Sequence, residues 1–435
     1  MIGLLWRDRI RRVASFTAAQ TVVQLLGFGA GIVLVRSMEP AQYGHYTLGV
    51  SIAALASVLL DLGLSTAVLA RGGALHGQTN LLAALVGDAY ALQRSMTALG
   101  TVALVPAFSA VLIQQPMRGR EAIWIAVLAV GAAILTVRNA VALSIVRLRG
   151  HLVVQQRLEM ALNAAKLCIV GLATLVFIDA PVALAINLVT AAAMFVLLRR
   201  YLRLQLGDAP VGSGAHTRGL LGFIGRQAPN SLYYCVSGQV TIWLVGVLGN
   251  ADRVGQLGAL GRLAAVFTII GSLVAAFAQP HVARADTRRA VVRAFVSMSG
   301  LFALLTLGLV AAAQTAPHAL LWVLGPRYAG LSAELVWMAL AGSLGAWAAA
   351  LYSMAAAREW VAPASWMITS GIAATALGAA LLDVSTVAGG FMLSTLVSGT
   401  SLAVTAVFVV QRLVREPDRS PPKLPVGLES RAGTP

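Results

Sequence analysis

Charge is what this chain has least of. Only 11% of its 435 residues are Asp, Glu, Lys or Arg, and just 16 of them are acids, against about a quarter charged in ordinary soluble domains. That scarcity excludes a water-soluble globular surface. Cysteine is nearly absent too: Cys168 and Cys235 both sit in apolar stretches, so neither a disulfide framework nor a metal cluster is signalled. The histidines His45, His76, His151, His216, His281 and His318 lack metal-ligand partners at helical spacing and fall near the ends of apolar segments. There is no nucleophile elbow, zinc motif or pair of carboxylates. The longest outer connection, about Gln314–Tyr328, is too small for a catalytic domain. The chain therefore reads as a non-enzyme that needs no cofactor. Short alternating strands, the mark of a membrane β-barrel, are also missing.

What is present is apolar helix. Hydrophobic residues make up 58% of the chain, and a bilayer core about 30 Å thick takes about 20 apolar residues per helix. Runs of that length recur at 14–35, 46–70, 95–114, 122–146, 158–178, 182–198, 220–248, 255–280, 292–313, 329–354, 361–382 and 386–410. The expected fold is an all-α polytopic membrane protein of about twelve spans. Arg7–Arg12 followed by apolar residues resembles a signal-peptide start, but the run continues to Val35, too long for an h-region. It reads as an uncleaved first span.

The basic residues set the orientation. With the N-terminus inside, 23 of the 32 Lys and Arg fall on inner segments and five, Arg36, Arg118, Arg120, Arg253 and Arg327, on outer ones. Both termini are therefore expected in the cytoplasm, and the formal net charge of +16 signals topology rather than nucleic acid. A Gly/Pro/Ser-rich stretch at 207–214 divides six spans from six, giving lobes at 1–200 and 219–415, a linker at 201–218 and a proline-bearing disordered tail at 416–435. The lobes share faint similarity: Phe16–Gln20 compares with Phe223–Gln227, and Tyr43-Gly44 with Val254-Gly255. Six plus six in one orientation suggests parallel repeats.

Four cations remain inside spans: Arg138, Lys166, Arg226 and Arg262. Facing lipid they would cost roughly 10–14 kcal/mol together. Arg138, Lys166 and Arg226 lie within snorkelling reach of the cytoplasmic interface, whereas Arg262 sits near mid-helix and is the best candidate to face a protein interior. Asp61 is the one acid well inside an expected span, and either ion-pairs with a cation or acts as a protonatable conformational switch. Gln20, Gln24, Asn139, Asn163, Asn187, Gln227, Asn230 and Gln239 offer interhelical hydrogen bonds or a sugar-binding lining. Gly27, Gly29 and Gly31 suit close helix packing.

One stretch carries a family resemblance. Phe16, Ala19, Gln20, Gly27 and Leu34 lead into Arg36, Pro40, Tyr43, Gly44 and Tyr46, and then Ser51, Asp61, Gly63, Leu64, Ser65 and Arg71 follow. This R-x-h-x-P-x-x-Y-G-x-Y turn followed by D-x-G-h-S resembles the polysaccharide exporters, the Wzx-type lipid-linked oligosaccharide flippases of the multidrug/oligosaccharidyl-lipid/polysaccharide superfamily. Met38 stands where that family more often has leucine. The resemblance implies two six-helix lobes around a central cavity, alternating access, and export of a polyprenyl-pyrophosphate-linked oligosaccharide across the inner membrane. Its implied partners are that substrate, membrane lipids and the polysaccharide assembly machinery. Arg262, Arg138, Lys166 and Arg226 would attract the pyrophosphate or acidic sugars, and Asp61 would tune the two-state equilibrium. A multidrug antiporter of the same fold is the alternative, and an integral-membrane enzyme or assembly factor of glycan synthesis is a third reading.

Overall fold

A helix closes its own backbone hydrogen bonds, which the bilayer interior cannot do for it. The computed structural model of the protein accordingly shows only helices and turns among its described residues. These are residues 2–74, 78–113, 117–207, 214–264, 287–356 and 362–415, with isolated positions between 266 and 282 and at 358 and 360. The expected tail at 416–435, Pro280, and the centre of the linker lie outside them.

The elements in order are α1 (Ile2–Ser37), α2 (Pro40–Asp61), α3 (Leu64–Ala74), α4 (Thr79–Ile113), α5 (Gly119–Leu148), α6 (Leu152–Val176) and α7 (Ala180–Leu206). They continue with α8 (Thr217–Leu248), α9 (Ala251–Leu263), α10 (Arg288–Thr315), the short α11 (Pro317–Trp322), a 3-10 turn (Pro326–Tyr328), α12 (Ser332–Ala356), α13 (Ala364–Leu381) and α14 (Val387–Arg415). Eleven helices among the described residues are long and apolar enough to cross a membrane, and they fall on eleven of the twelve expected spans. The eighth is represented by α9, its remainder lying largely outside the described residues. Side chains such as Leu99, Val102, Leu175, Leu304, Leu307 and Leu381 stand exposed, as a lipid-facing surface requires.

One expectation needs correction. The third span begins not at 95 but at Thr79, in a helix of 35 residues. Asp88, Gln93 and Arg94 lower the hydropathy of its first half, yet Leu82, Leu85, Val86 and Ala89 on that half are buried against α3, α5 and α7. Asp61 is therefore not the only acid within a spanning helix. Asp88 is 1% exposed and accepts the backbone N–H groups of Gly214 and His216 at 2.7 and 2.8 Å. It ties the entry of α8 to α4.

Helix α5 packs on α2, α4 and α7, and α1 packs on α6; farther along the chain, α12 packs on α10 and α14, and α13 on α14. The closest link between these groups is α2 against α9. There Tyr43-Gly44 and Val254-Gly255 meet face to face. A Cβ on Gly44 would overlap the Ala251 carbonyl and lie 3.1 Å from the Gly255 nitrogen. A Cβ on Gly255 would overlap the Pro40 carbonyl and lie 3.1 Å from the Gly44 nitrogen. Only glycine at both positions lets the two backbones touch.

The same end, marked by the α1–α2 hairpin, is closed by arginines on carbonyls. Arg36 donates from Nε and Nη2 to Val323 and Trp322 at 2.9 and 2.6 Å, and its guanidinium lies 5.0 Å from the Trp322 ring. Arg327 donates to the Met38 carbonyl at 2.7 Å, and Arg253 to that of Ser385 at 3.0 Å. Tyr328 is buried beside them, and that burial pushes its hydroxyl above the usual tyrosine range. A continuous apolar core including Leu34, Met38, Ile125, Val254, Leu324 and Met338 fills this end.

Gly44→Ala or Gly255→Ala should separate α2 from α9 and destabilise the protein by about 1–3 kcal/mol, the usual cost of overpacking. Gly171→Ala, where nothing lies within 4 Å, should be neutral or mildly stabilising. Thermal unfolding of the purified variants measures the difference.

Candidate functional site

Helix α2 begins at Pro40, which is pre-set for the first helical turn. From that start Tyr43 and Tyr46, three residues apart, share a face. Both are almost fully buried, at 0% and 2% exposed. Across the glycine contact, α9 delivers Arg262 to this face. Its Nε donates to the Tyr43 hydroxyl at 2.8 Å, and its guanidinium carbon lies 5.9 Å from the Tyr46 ring. Helix α1 leaves room for it: a Cβ on Gly31 would sit 3.1 Å from Cδ and 3.2 Å from Nε and Nη1 of Arg262. Gly27, one turn earlier, faces Asn163 of α6. The glycines of α1 thus serve close packing, with the arginine as one of the things packed.

One more polar group reaches Tyr46. Asn187 of α7 donates from Nδ2 to its hydroxyl at 3.3 Å. The result is a polar cluster drawn from α1, α2, α7 and α9 that holds Arg262, while Lys166 lies on α6. Arg262 and Lys166 are half-buried. Among the described residues the one pair of opposite charges in ion-pair range is His45 with Glu121, so neither cation has a carboxylate partner there. Held among the described residues by a hydroxyl oxygen and a ring face, the Arg262 guanidinium is short of negative charge. What the cluster can do chemically is accept an anion.

The other expected residues lie apart. Arg138 is half-buried, with its guanidinium 5.7 Å from the Phe195 ring, and its carbonyl accepts from Tyr90 at 3.5 Å. Arg226 lies within α8, with its side chain outside the described set. Asp61 has no cation in ion-pair range among the described residues. It ends α2, where Leu62 adopts a left-handed φ of 43° and Gly63 one of 87°. Its carboxylate accepts the N–H groups of Gly63 and Ser65 at 3.2 and 3.1 Å and the Ser65 hydroxyl at 2.9 Å. Every polar letter of D-x-G-h-S is thereby used locally: the aspartate caps α3, glycine turns, and serine closes the loop.

The sequence quoted Tyr43 and Tyr46 as motif letters without seeing them as partners of Arg262. Their i, i+3 spacing gave a shared face, but nothing in the sequence placed α9 opposite it. Of the expected amides, Asn187 reaches the cluster. Asn139 instead bridges to the Ala191 carbonyl at 3.0 Å, and Gln239 accepts from Ser51 at 2.7 Å. Separately, a cavity of about 420 Å³ opens beside Phe267, Gly271, Val274, Gly345, Ala346 and Ala350, with no charged side chain among the described residues of its lining.

If Asp61 acts as a cap, Asp61→Asn should remain close to wild type in stability, because asparagine caps as well as aspartate. Asp61→Ala should lose about 1 kcal/mol. Equal losses in thermal unfolding would mean that the charge, and not the cap, is what matters.

No family model and no curated protein matches the chain. Solved structures do. A multidrug resistance MATE-family transporter of the MOP superfamily, in an inward-facing conformation, superposes with a TM-score of 0.70 at 15% identity, covering 90% of this chain and 94% of its own. The lipid II flippase MurJ, in an inward closed conformation, superposes with a TM-score of 0.72 at 10% identity, covering 92% and 89%. A MATE structure in a bent conformation gives 0.60 at 14% identity. At such identities the likeness concerns the fold: this chain is a polytopic all-α membrane protein with the architecture shared by MATE transporters and MurJ.

Proposed function

We propose that the protein is a flippase that carries a polyprenyl-pyrophosphate-linked oligosaccharide, a surface polysaccharide or O-antigen precursor, from the cytoplasmic to the periplasmic leaflet of a bacterial inner membrane. The observation that carries this reading is Arg262, a cation at the α2–α9 contact with hydroxyl and ring partners and no carboxylate among the described residues to neutralise it; Lys166 on α6 would add to it. Pyrophosphate supplies the missing charge through strong charge-assisted hydrogen bonds. Arg138 and Arg226 would serve as further cations along the path. A multidrug antiporter that takes cations would need the opposite sign here.

The fold suits the task. Lobes at 1–200 and 219–415, joined by the linker at 201–218, would rock about the α2–α9 contact. The arginine distribution supports a hairpin end outside and both termini in the cytoplasm. Packing shut at that end accords with the inward states in which the MATE transporter and MurJ above were captured. Each negative charge moved outward across an inside-negative membrane gains about 2.3 kcal/mol per 100 mV, which gives an anionic cargo its own driving force. Asp61 would act through the joint that it caps.

Arg262→Gln removes a charge-assisted contact worth about 1.5–3 kcal/mol, so export should fall roughly ten- to hundredfold. In cells that depend on this protein, surface glycan should disappear and its lipid-linked precursor should accumulate inside at unchanged protein abundance. Arg262→Lys should restore part of the loss. Full surface glycan in Arg262→Gln at equal abundance would sink the assignment. Altered drug susceptibility with glycan intact would favour the antiporter.

A further inference from the structure

Helices α6 and α7 are joined at both ends of their length. Gln42 of α2 accepts the Ala180 N–H at 3.2 Å, which places the α6–α7 turn at the hairpin end. At the opposite end the start of α6 and the last turns of α7 are stitched together. His151 Nδ1 and the Tyr201 hydroxyl share a hydrogen bond at 2.5 Å, and Arg149 donates from Nη1 to Gln205 Oε1 at 2.7 Å. Gly150, with a φ of 72°, turns the chain between those two arms.

From this joint each helix presents one exposed face. On α7 it carries Val189, Val196, Arg200 and Leu204, whose spacing puts them on one side of a helix; Leu204 is 85% exposed. On α6 it carries Val153, Arg157, Cys168 and Leu175, again on one side and all exposed. An exposed valine and leucine stripe on a spanning helix is the face that the bilayer covers. Arg157 and Arg200 therefore stand within lipid-facing stripes, not in loops. They lie five and six residues from the joint, counted from Leu152 and Leu206, so their depths match.

Nothing acidic competes for them. Helix α7 contains no Asp or Glu. Glu159, the acid of α6, lies about 160° round the helix from Arg157, and its carboxylate accepts from Gln155 at 2.7 Å. Among the described residues neither arginine is in ion-pair range of a carboxylate. A guanidinium in this position extends to the headgroup level, where its planar fork fits a phosphate.

We propose that this face of α6 and α7 binds an anionic phospholipid, with its phosphate held by Arg157 and Arg200 and its acyl chains lying along the two stripes. The apolar neighbours Val153 and Leu204 favour a lipid over an acidic protein. The site lies on the face of the helices opposite Glu159, apart from Arg262, and it rests on the membrane fold and on no particular cargo.

The test counts retained lipid. The purified full chain is equilibrated in detergent with equal amounts of phosphatidylglycerol and phosphatidylcholine of the same acyl chains, and the bound lipid is identified by native mass spectrometry. Each arginine near an anionic lipid contributes about fivefold, so phosphatidylglycerol should be preferred by at least about tenfold. The double variant Arg157→Gln/Arg200→Gln should lose most of that preference. Arg94→Gln/Arg199→Gln removes the same charge from exposed positions on other faces of α4 and α7 and should change it less than about twofold. Leu204→Ser should lower retention of phosphatidylglycerol, since the chains lose part of their contact. Equal retention of the two lipids in the wild type would overturn the site. Equal losses in the two double variants would reduce the preference to general surface charge and overturn it too. Displacement of phosphatidylglycerol by inorganic phosphate, or by a polyglutamate peptide, would assign the arginines to a soluble anion or a protein and overturn the lipid as occupant.

Discussion

Two glycine residues in backbone contact organise this molecule. Gly44 on α2 and Gly255 on α9 let helices from the two halves of the chain approach until main chain meets main chain. Everything polar at that crossing follows from the approach. The face of α2 that carries Tyr43 and Tyr46 is brought within reach of Arg262. A β-carbon at either glycine would move all of these groups together. The contact is thus a structural register mark as well as a packing device.

In a chain with so few charges, the use of each one is informative. Asp61 and Asp88 spend their carboxylates on backbone N–H groups, one at a helix break and the other at the entry of α8. Arg36, Arg327 and Arg253 spend their guanidinium groups on backbone carbonyls at the hairpin end. These groups satisfy main-chain atoms that helices leave open. Arg262 does something different, donating to a side-chain hydroxyl beside an aromatic ring. The distinction separates charges spent on main-chain atoms from one spent on side chains, and it is visible only in three dimensions.

The spans were legible because a twenty-residue apolar run has few alternatives in water or lipid. Helix α4 was misjudged at its start because Asp88, Gln93 and Arg94 break the apolar run while leaving the helix intact; hydropathy registers the membrane, not the helix. The importance of Arg262 was legible from the cost of a charge at mid-span, but its partners were not, since Tyr43 and Tyr46 lie more than two hundred positions away. Asp61 shows the converse. Its depth suggested long-range electrostatics, whereas its nearest neighbours in sequence, Gly63 and Ser65, already supplied its hydrogen bonds. An aspartate two residues before a glycine is a turn signal, and membrane depth obscured it.

The break between α2 and α3 has a mechanical meaning. Val58 and Gly63 keep their helical hydrogen bonds on either side of it, and the Asp61 side chain takes up the N–H groups that the break exposes. Neither helix loses a rung of its own ladder where they join. The span is therefore two rigid levers on a swivel: α2 is fastened by its far end to α9, while α3 is bedded against α4, α5 and α8 near the linker. Such a swivel lets one end of a membrane span tilt while the other stays seated, with no helix unwound.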